Sequence, residues 1–140
     1  MTNAIIRSGG STPVRQECQL IEAAIKKSFS AAHFLKEKDG APEDLHGHNF
    51  VVELVAVCTV KTAEGRPFCE TLEKWLEEAT RTLHHKNLNN LPSFKDCAPS
   101  SEHIAQYIFN EAAKKIGPSH ANISHVTVWE ADDTGVTYKR

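Results

Sequence analysis

The fold is indicated first by residues 49–60, which read NFVVELVAVCTV. This run is rich in β-branched residues and predicts a strand. Upstream, residues 18–33 alternate apolar Ile21, Ala23 and Ile25 with Glu22, Ala24 and Lys26. Alternation with period two is typical of a strand with one buried face. We therefore expect two long neighbouring strands, joined by a polar loop over residues 36–45 that contains a glycine and a proline.

The remainder of the chain predicts two helices followed by two strands. Residues 71–83 place apolar side chains at helical spacing. A second helix is expected over residues 100–116, beginning at Ser100-Ser101-Glu102 and stopping at Gly117-Pro118. Strands are expected at residues 123–129 and 136–138, around a turn at residues 132–135. The order β-β-α-α-β-β indicates an α+β domain, with a four-stranded antiparallel sheet and both helices on one face.

Length and composition exclude several protein classes. The chain has 140 residues and a formal net charge of -2, which suits a single domain without the basic face typical of nonspecific nucleic-acid binding. We expect a flexible leader over residues 1–16 and one domain over residues 17–140. No apolar run is long enough to span a bilayer, and no secretory signal is visible, so we expect a cytoplasmic protein. Its open sheet would have exposed edges, which favours a homo-oligomer.

The motif His46-Gly47-His48 is a candidate metal-binding site. Residues two apart on an extended chain face the same side, so both imidazoles can reach one ion. His33 ends the preceding predicted strand and can join them across the loop. Three neutral imidazoles with an open fourth position are typical of a catalytic zinc site. The alternative interpretation is a polar turn without a metal. A zinc hydrolase or a deaminase-like enzyme also remains open from the histidines alone.

Two segments, FSAAH at residues 29–33 and LHGHN at residues 45–49, resemble the 6-pyruvoyltetrahydropterin synthase and 6-carboxytetrahydropterin synthase family. The likeness continues through His85 with Leu88-Asn89, PSSE at residues 99–102 and VTVWE at residues 126–130. It implies the tunnelling fold, with trimers stacked into hexamers and active sites between subunits. It also implies a carbon-oxygen lyase that acts on 7,8-dihydroneopterin triphosphate or a close relative, in biopterin, folate or queuosine synthesis.

The resemblance also implies residue roles. His33, His46 and His48 would bind Zn²⁺, and Glu130 would hold the pterin ring, because a carboxylate can accept two hydrogen bonds from an amino-pyrimidine edge. Ser100, Ser101 and Glu102 would line the same pocket. His85 would take part in proton transfer. We expect structural or surface roles for the remaining His103, His120 and His125, and solvated positions for the lysines Lys26, Lys27, Lys36 and Lys38.

The sequence departs from the family at the catalytic positions. The usual cysteine before His-Gly-His is missing, and the stretch reads APEDL at residues 41–45. His84 stands where the family has an aspartate, and Phe34 stands where a basic residue is common. We expect Glu43, or alternatively Asp44, to replace the cysteine and to work with His84 and His85. A family subgroup with a glutamate there cleaves the side chain to 6-hydroxymethyl-dihydropterin. That reaction, or a pterin-binding protein without activity, is the alternative function.

Overall fold

A computed structural model describes residues 19–59, 66–116 and 121–140. The strands are β1 (Leu20–His33), β2 (His46–Thr59), β3 (Asn122–Ala131) and β4 (Thr134–Lys139). The helices are α1 (Arg66–Arg81) and α2 (Ser101–Lys115), and the link between them contains two short 3-10 turns, Leu88–Asn90 and Pro92–Phe94. The predicted element order is confirmed. Within these ranges, no helix has both the length and the apolar composition needed to cross a membrane.

Several element boundaries differ from the predicted ones, most clearly those of α1 and β2. Helix α1 begins at Arg66 instead of residue 71 and ends at Arg81 instead of residue 83. After Arg81 the backbone N–H groups of Leu83 and His84 both bond to the Thr80 carbonyl, which closes the helix in a tight turn. Strand β2 already includes His46, which the sequence placed before the strand. The predicted leader at residues 1–16 and helix stop at Gly117-Pro118 lie outside the described residues.

The four strands form one antiparallel sheet in the order β1-β2-β3-β4. Helix α1 contacts β1, α2 contacts β3 and β4, and the two helices contact each other, so both cover the same face. The core between the layers includes Phe29 and Phe50, whose rings stack with centroids 5.1 Å apart. Side chains alternate across a strand. The face that buries Phe29 and Phe50 therefore also carries His33, His46 and His48 at the strand ends.

A β-bulge near the end of β3 sets up the functional site. Trp129 pairs with Gly135 on β4, and Ala131 pairs with Thr134. Glu130 is therefore an extra residue without a counterpart on β4. Bulges bend a strand locally and change the direction of a side chain, and they are frequent beside active sites.

Candidate metal centre

Pairing of β1 with β2 brings three histidine rings together. His33 lies opposite His46, and His48 lies opposite Ala31, one pleat further along the sheet. The ring centroids are 4.8 Å apart for His33 and His46, 5.2 Å for His33 and His48, and 4.8 Å for His46 and His48. His33 is fully buried. One ligand atom from each ring, together with a carboxylate oxygen of Glu130, lies within 4.8 Å of the others.

Backbone carbonyls orient two of the rings. His33 Nδ1 lies 2.7 Å from the Pro99 carbonyl oxygen, and His46 Nδ1 lies 2.9 Å from the Asp44 carbonyl oxygen. A carbonyl only accepts hydrogen bonds, so we assign the proton to Nδ1 in both rings. Each Nε2 atom then presents a lone pair. Such outer hydrogen bonds set the tautomer of metal-binding histidines in general.

The buried nitrogen atoms fit a cation. Nε2 of His33 and of His48 are both buried and have no hydrogen-bond partner in the described part of the chain. Glu130 Oε1 is 2.9 Å from His48 Nε2 and 3.6 Å from His33 Nε2, but neither contact is a hydrogen bond. Buried polar atoms without partners cost stability unless a ligand satisfies them. Three inward lone pairs beside a carboxylate are the donor set that Zn²⁺ accepts.

Glu130 connects the cluster to helix α2. While Oε1 faces the histidines, Oε2 accepts a hydrogen bond of 3.1 Å from Ser101 Oγ in the first helical turn. The sequence assigned Glu130 to the pterin ring, and the structure also places its carboxylate among the atoms that can hold a metal. Ser100 is the N-cap of α2, with its side chain accepting from the His103 N–H. Glu102 is exposed in the first turn and is not part of the cluster.

Burial favours the neutral form of His48. Desolvation lowers the pKa of His48 below its usual value, and the nearby Glu130 carboxylate opposes that shift. His33 and His46 lower the pKa further because each would carry like charge. An imidazole must be neutral to bind a metal. The environment of His48 therefore prepares it for that role.

Glu43 lies beside the cluster. Its Oε2 accepts a 3.0 Å hydrogen bond from the Leu35 N–H and stands 4.0 Å from His46 Nδ1. Its own N–H donates to the Leu35 carbonyl at 2.8 Å. Asp44 contributes its backbone carbonyl to His46. Of the two carboxylates proposed from sequence, Glu43 is the one with a side-chain contact at the histidines.

His84 and His85 lie elsewhere, along the free edge of β1. The Ser30 N–H donates to His84 Nδ1 at 3.1 Å, and the His85 N–H donates to the Ser30 carbonyl at 2.7 Å. The two rings stack with centroids 3.7 Å apart, and His85 has a φ of 57°. His85 lines a cavity of about 440 Å³ together with Ser30, Gly47 and His48 of the cluster. Neither ring belongs to the metal cluster of its own chain.

Sequence reasoning did not identify the backbone carbonyl that supports His33. The Pro99 carbonyl gives no signal in the sequence, because any residue carries a carbonyl. His103 was assigned a structural or surface role. Its Nδ1 lies 2.7 Å from the Ala98 carbonyl and 3.2 Å from Ser100 Oγ. It therefore braces the turn that presents the Pro99 carbonyl to His33.

Comparison with known proteins places this chain in a family. The family model described as 6-pyruvoyl tetrahydropterin synthase matches residues 22–140. The dihydroneopterin monophosphate aldolase of Pyrococcus furiosus is 32% identical over 111 residues, covering 79% of this chain and 90% of that protein. The human 6-pyruvoyl tetrahydrobiopterin synthase is 31% identical over 139 residues, covering 89% of this chain and 94% of that protein.

Solved structures agree with the fold. The 6-pyruvoyl tetrahydropterin synthase of Caenorhabditis elegans superposes with a TM-score of 0.74 at 26% identity, covering 88% of this chain and 97% of that one. The Plasmodium vivax synthase, in a variant with a catalytic glutamate replaced by alanine, superposes with a TM-score of 0.68 at 22% identity, covering 87% and 98%. The predicted tunnelling fold is confirmed, and the chain belongs to the 6-pyruvoyl tetrahydropterin synthase family.

Proposed function

We propose that this protein is a zinc-dependent enzyme that cleaves the side chain of a phosphorylated 7,8-dihydroneopterin to 6-hydroxymethyl-dihydropterin. The observation that carries the proposal is the Glu43 carboxylate, 4.0 Å from His46 Nδ1. Glu43 lies next to a candidate metal ligand, in a stretch where the family usually has a cysteine. The relative from Pyrococcus furiosus, 32% identical, is named as an aldolase for a dihydroneopterin phosphate.

His33, His46 and His48 would hold the zinc, which when bound makes neighbouring hydroxyl groups more acidic. Glu130 would accept hydrogen bonds from the amino-pyrimidine edge of the pterin. Ser101 supports this role, because its hydroxyl already holds one Glu130 oxygen in place at 3.1 Å. Ser100, as the N-cap, positions Ser101 at the start of α2.

The identity of the base favours cleavage of a carbon–carbon bond. Glu43 would take the proton of the side-chain hydroxyl at C2′, the C1′–C2′ bond would break, and its electron pair would enter the ring imine. Protonation at C1′ then gives the hydroxymethyl product, and C2′ leaves in a phosphorylated glycolaldehyde. A glutamic acid has a pKa of about 4.3 and a thiol about 8.5. Because a carboxylate is a weaker base than a thiolate, it is better suited to removing a proton from an acidified O–H group than from a C–H group.

We place His84 and His85 at the site of a neighbouring subunit. They lie along the free edge of β1, outside the metal cluster of their own chain. A homo-oligomer, such as the trimer or hexamer that the family resemblance implies, would bring them close to the zinc site of a second chain. We propose that such an assembly works in the cytoplasm on a small pterin substrate.

The proposal is tested by incubating the zinc-loaded protein with dihydroneopterin monophosphate and triphosphate, followed by mass spectrometry of the products. We expect 6-hydroxymethyl-dihydropterin and a phosphorylated glycolaldehyde. Binding without conversion would contradict an enzymatic role and indicate a pterin-binding protein. Release of ammonia would indicate a deaminase instead.

A second candidate is the carbon-oxygen lyase reaction implied by the family, with release of triphosphate. The human synthase supports it, since the likeness covers 89% of this chain at 31% identity. Free triphosphate together with a 6-pyruvoyl product would establish this reaction and contradict side-chain cleavage. The same incubation therefore separates the two candidates.

A further inference from the structure

The carboxylate of Glu130 is close enough to the histidine rings to share their metal ion. Its Oε1 lies 2.9 Å from His48 Nε2 and 3.6 Å from His33 Nε2. Zinc binds imidazole nitrogen and carboxylate oxygen at about 2.0–2.2 Å, so two donors of one tetrahedral ion are about 3.3–3.6 Å apart. Both distances from Glu130 Oε1 are close to that spacing. The oxygen therefore fits the fourth position of an ion that the three rings hold.

Hydrogen bonding between Glu130 and the rings does not account for this arrangement. Neither His33 Nε2 nor His48 Nε2 has a hydrogen-bond partner among the described residues, although both atoms are buried. His33 Nδ1 is engaged with the Pro99 carbonyl, so its Nε2 is an acceptor that faces another acceptor. Acceptors without a donor are costly when buried. A cation between them would satisfy the nitrogen atoms and the carboxylate together.

The other carboxylate near the rings is placed differently. Glu43 Oε2 lies 4.0 Å from His46 Nδ1, the nitrogen that faces the Asp44 carbonyl, and it accepts a hydrogen bond from the Leu35 N–H. Among the described residues, the carboxylate that converges with all three rings is that of Glu130. A divalent ion beside neutral imidazoles keeps its full charge, which is costly in a buried place. Glu130 would balance part of that charge.

Ser101 holds this carboxylate by one oxygen and leaves the other directed at the rings. The buried Ser101 hydroxyl, in the first turn of α2, donates to Glu130 Oε2 at 3.1 Å. The Glu130 side chain is nevertheless 31% exposed. An incoming ligand can therefore reach the carboxylate, and Oε1 can change its partner while the rest of the site stays in place.

We infer that Glu130 is the fourth metal ligand in the substrate-free protein and that the substrate displaces it. The displacement rests on the proposed function, in which the amino-pyrimidine edge of the pterin offers this carboxylate two hydrogen bonds. A zinc ion with four protein ligands is closed, whereas a catalytic zinc keeps one position open. Arrival of the pterin ring therefore opens the metal to the side chain of the substrate. Without a pterin, the metal stays closed to other molecules.

The first test uses the whole protein loaded with Co²⁺, whose visible absorption reports the ligands of the ion. Imidazole is the probe at pH 8, where it is mostly uncharged, so that loss of the Glu130 charge does not by itself alter its binding. Glu130→Ala should bind imidazole roughly tenfold more tightly than the wild type, because an occupied position lowers the apparent affinity by the fraction that is free. Equal affinities would overturn the inference.

Asp132→Ala is the matched control, since it removes an exposed carboxylate from the turn that follows β3. It should bind imidazole as weakly as the wild type. A gain equal to that of Glu130→Ala would mean that lost charge, and not an opened position, explains the effect.

A crystal structure of the zinc-loaded wild type without substrate needs no variant to fold. Glu130 Oε1 should lie about 2.0–2.2 Å from the zinc. A water molecule in the fourth position, with Glu130 bound only to Ser101, would overturn the assignment.

Titration of the Co²⁺ protein with unphosphorylated 7,8-dihydroneopterin tests the displacement. Binding should change the visible absorption of the wild type, and binding without any such change would refute the exchange. If no pterin binds, both the proposed function and the displacement fail. The imidazole and diffraction results, which involve no pterin, would still establish or refute Glu130 as a ligand.

Discussion

His33 Nδ1 lies 2.7 Å from the carbonyl oxygen of Pro99, a residue 66 positions further along the chain. This hydrogen bond joins the end of β1 to the turn that precedes α2. It holds the His33 ring with Nε2 directed at His48 and Glu130. The same turn leads into Ser101, which holds Glu130. One loop therefore supports both the candidate metal ligand His33 and the candidate pterin anchor Glu130.

We expect the purified protein to bind one Zn²⁺ per chain and to lose it when His33, His46 or His48 is replaced by alanine. Zinc at 100 times its Kd should stabilise the wild type by about 2.7 kcal/mol, because only the folded state offers the site. Metal analysis and thermal unfolding with and without a chelator measure both effects. His125→Gln, a histidine on β3 outside the cluster, should behave like the wild type. Full zinc content in all three alanine variants would contradict the site.

Glu43→Gln should lower turnover by roughly a hundredfold or more, the usual contribution of a general base. Its amide oxygen can still accept the Leu35 N–H, so the loop and the zinc content should be retained. Steady-state kinetics and metal analysis check the two expectations. Glu37→Gln, an exposed carboxylate of the same loop, is the control. If turnover survives Glu43→Gln but is lost in Asp44→Asn, then Asp44 is the base.

His103→Ala should weaken zinc binding by roughly tenfold, the lower end of the effect of residues that orient metal ligands. The reason is that His103 Nδ1, 2.7 Å from the Ala98 carbonyl, braces the turn that holds His33. His103→Asn should restore affinity, since its Nδ2 can donate from a similar position. Competition with a metal chelator measures the Kd. An unchanged Kd in the alanine variant would show that the turn needs no brace.

Gly135→Ala should destabilise the protein by about 1–3 kcal/mol, the usual effect of overpacking. A Cβ at Gly135 would lie 2.6 Å from Cε3 of the Trp129 ring. Because Trp129 adjoins the bulge at Glu130, activity should fall as well. Urea unfolding gives the stability change. At Gly47 a Cβ would be 3.7 Å from the nearest atom, so Gly47→Ala should unfold at a urea concentration similar to that of the wild type. Equal stability of the two variants would refute the clash at Gly135.

Metal-free protein should lose stability as the pH falls below about 6.5. Burial lowers the pKa of folded His48 below its usual value of 6.5. Between those two pKa values the unfolded chain binds more protons than the folded one, so the free energy of unfolding rises with pH and falls on acidification. Urea unfolding at pH 7 and pH 5.5 measures the difference. His48→Asn should reduce the difference in the free energy of unfolding between the two pH values. If the variant shows the same difference as the wild type, His48 is excluded as the cause.

Much of the fold was predictable because its signals are local. Alternation in residues 21–26, the β-branched run of β2 and the serine cap of α2 all depend on neighbours in sequence. The helix start at Ser100 was correct for that reason. The start of α1 was wrong by five residues because its first turn, at Arg66–Glu70, carries little of the apolar period seen from Leu72 onward.

The sequence by itself determined the order of elements, the family and the shared face of His46 and His48. The shared face follows because side chains two residues apart on a strand point to the same side. Only the tertiary structure decided which groups surround those rings. The bulge that directs Glu130 depends on the register between β3 and β4, and the Pro99 carbonyl reaches His33 only after the chain has folded back across the sheet. The tertiary structure also showed that Glu43 lies beside these rings, whereas His84 and His85 lie at the free edge of β1. The contacts of the Pro99 carbonyl and of His84 depend on pairings between distant segments, which no local pattern of residues encodes.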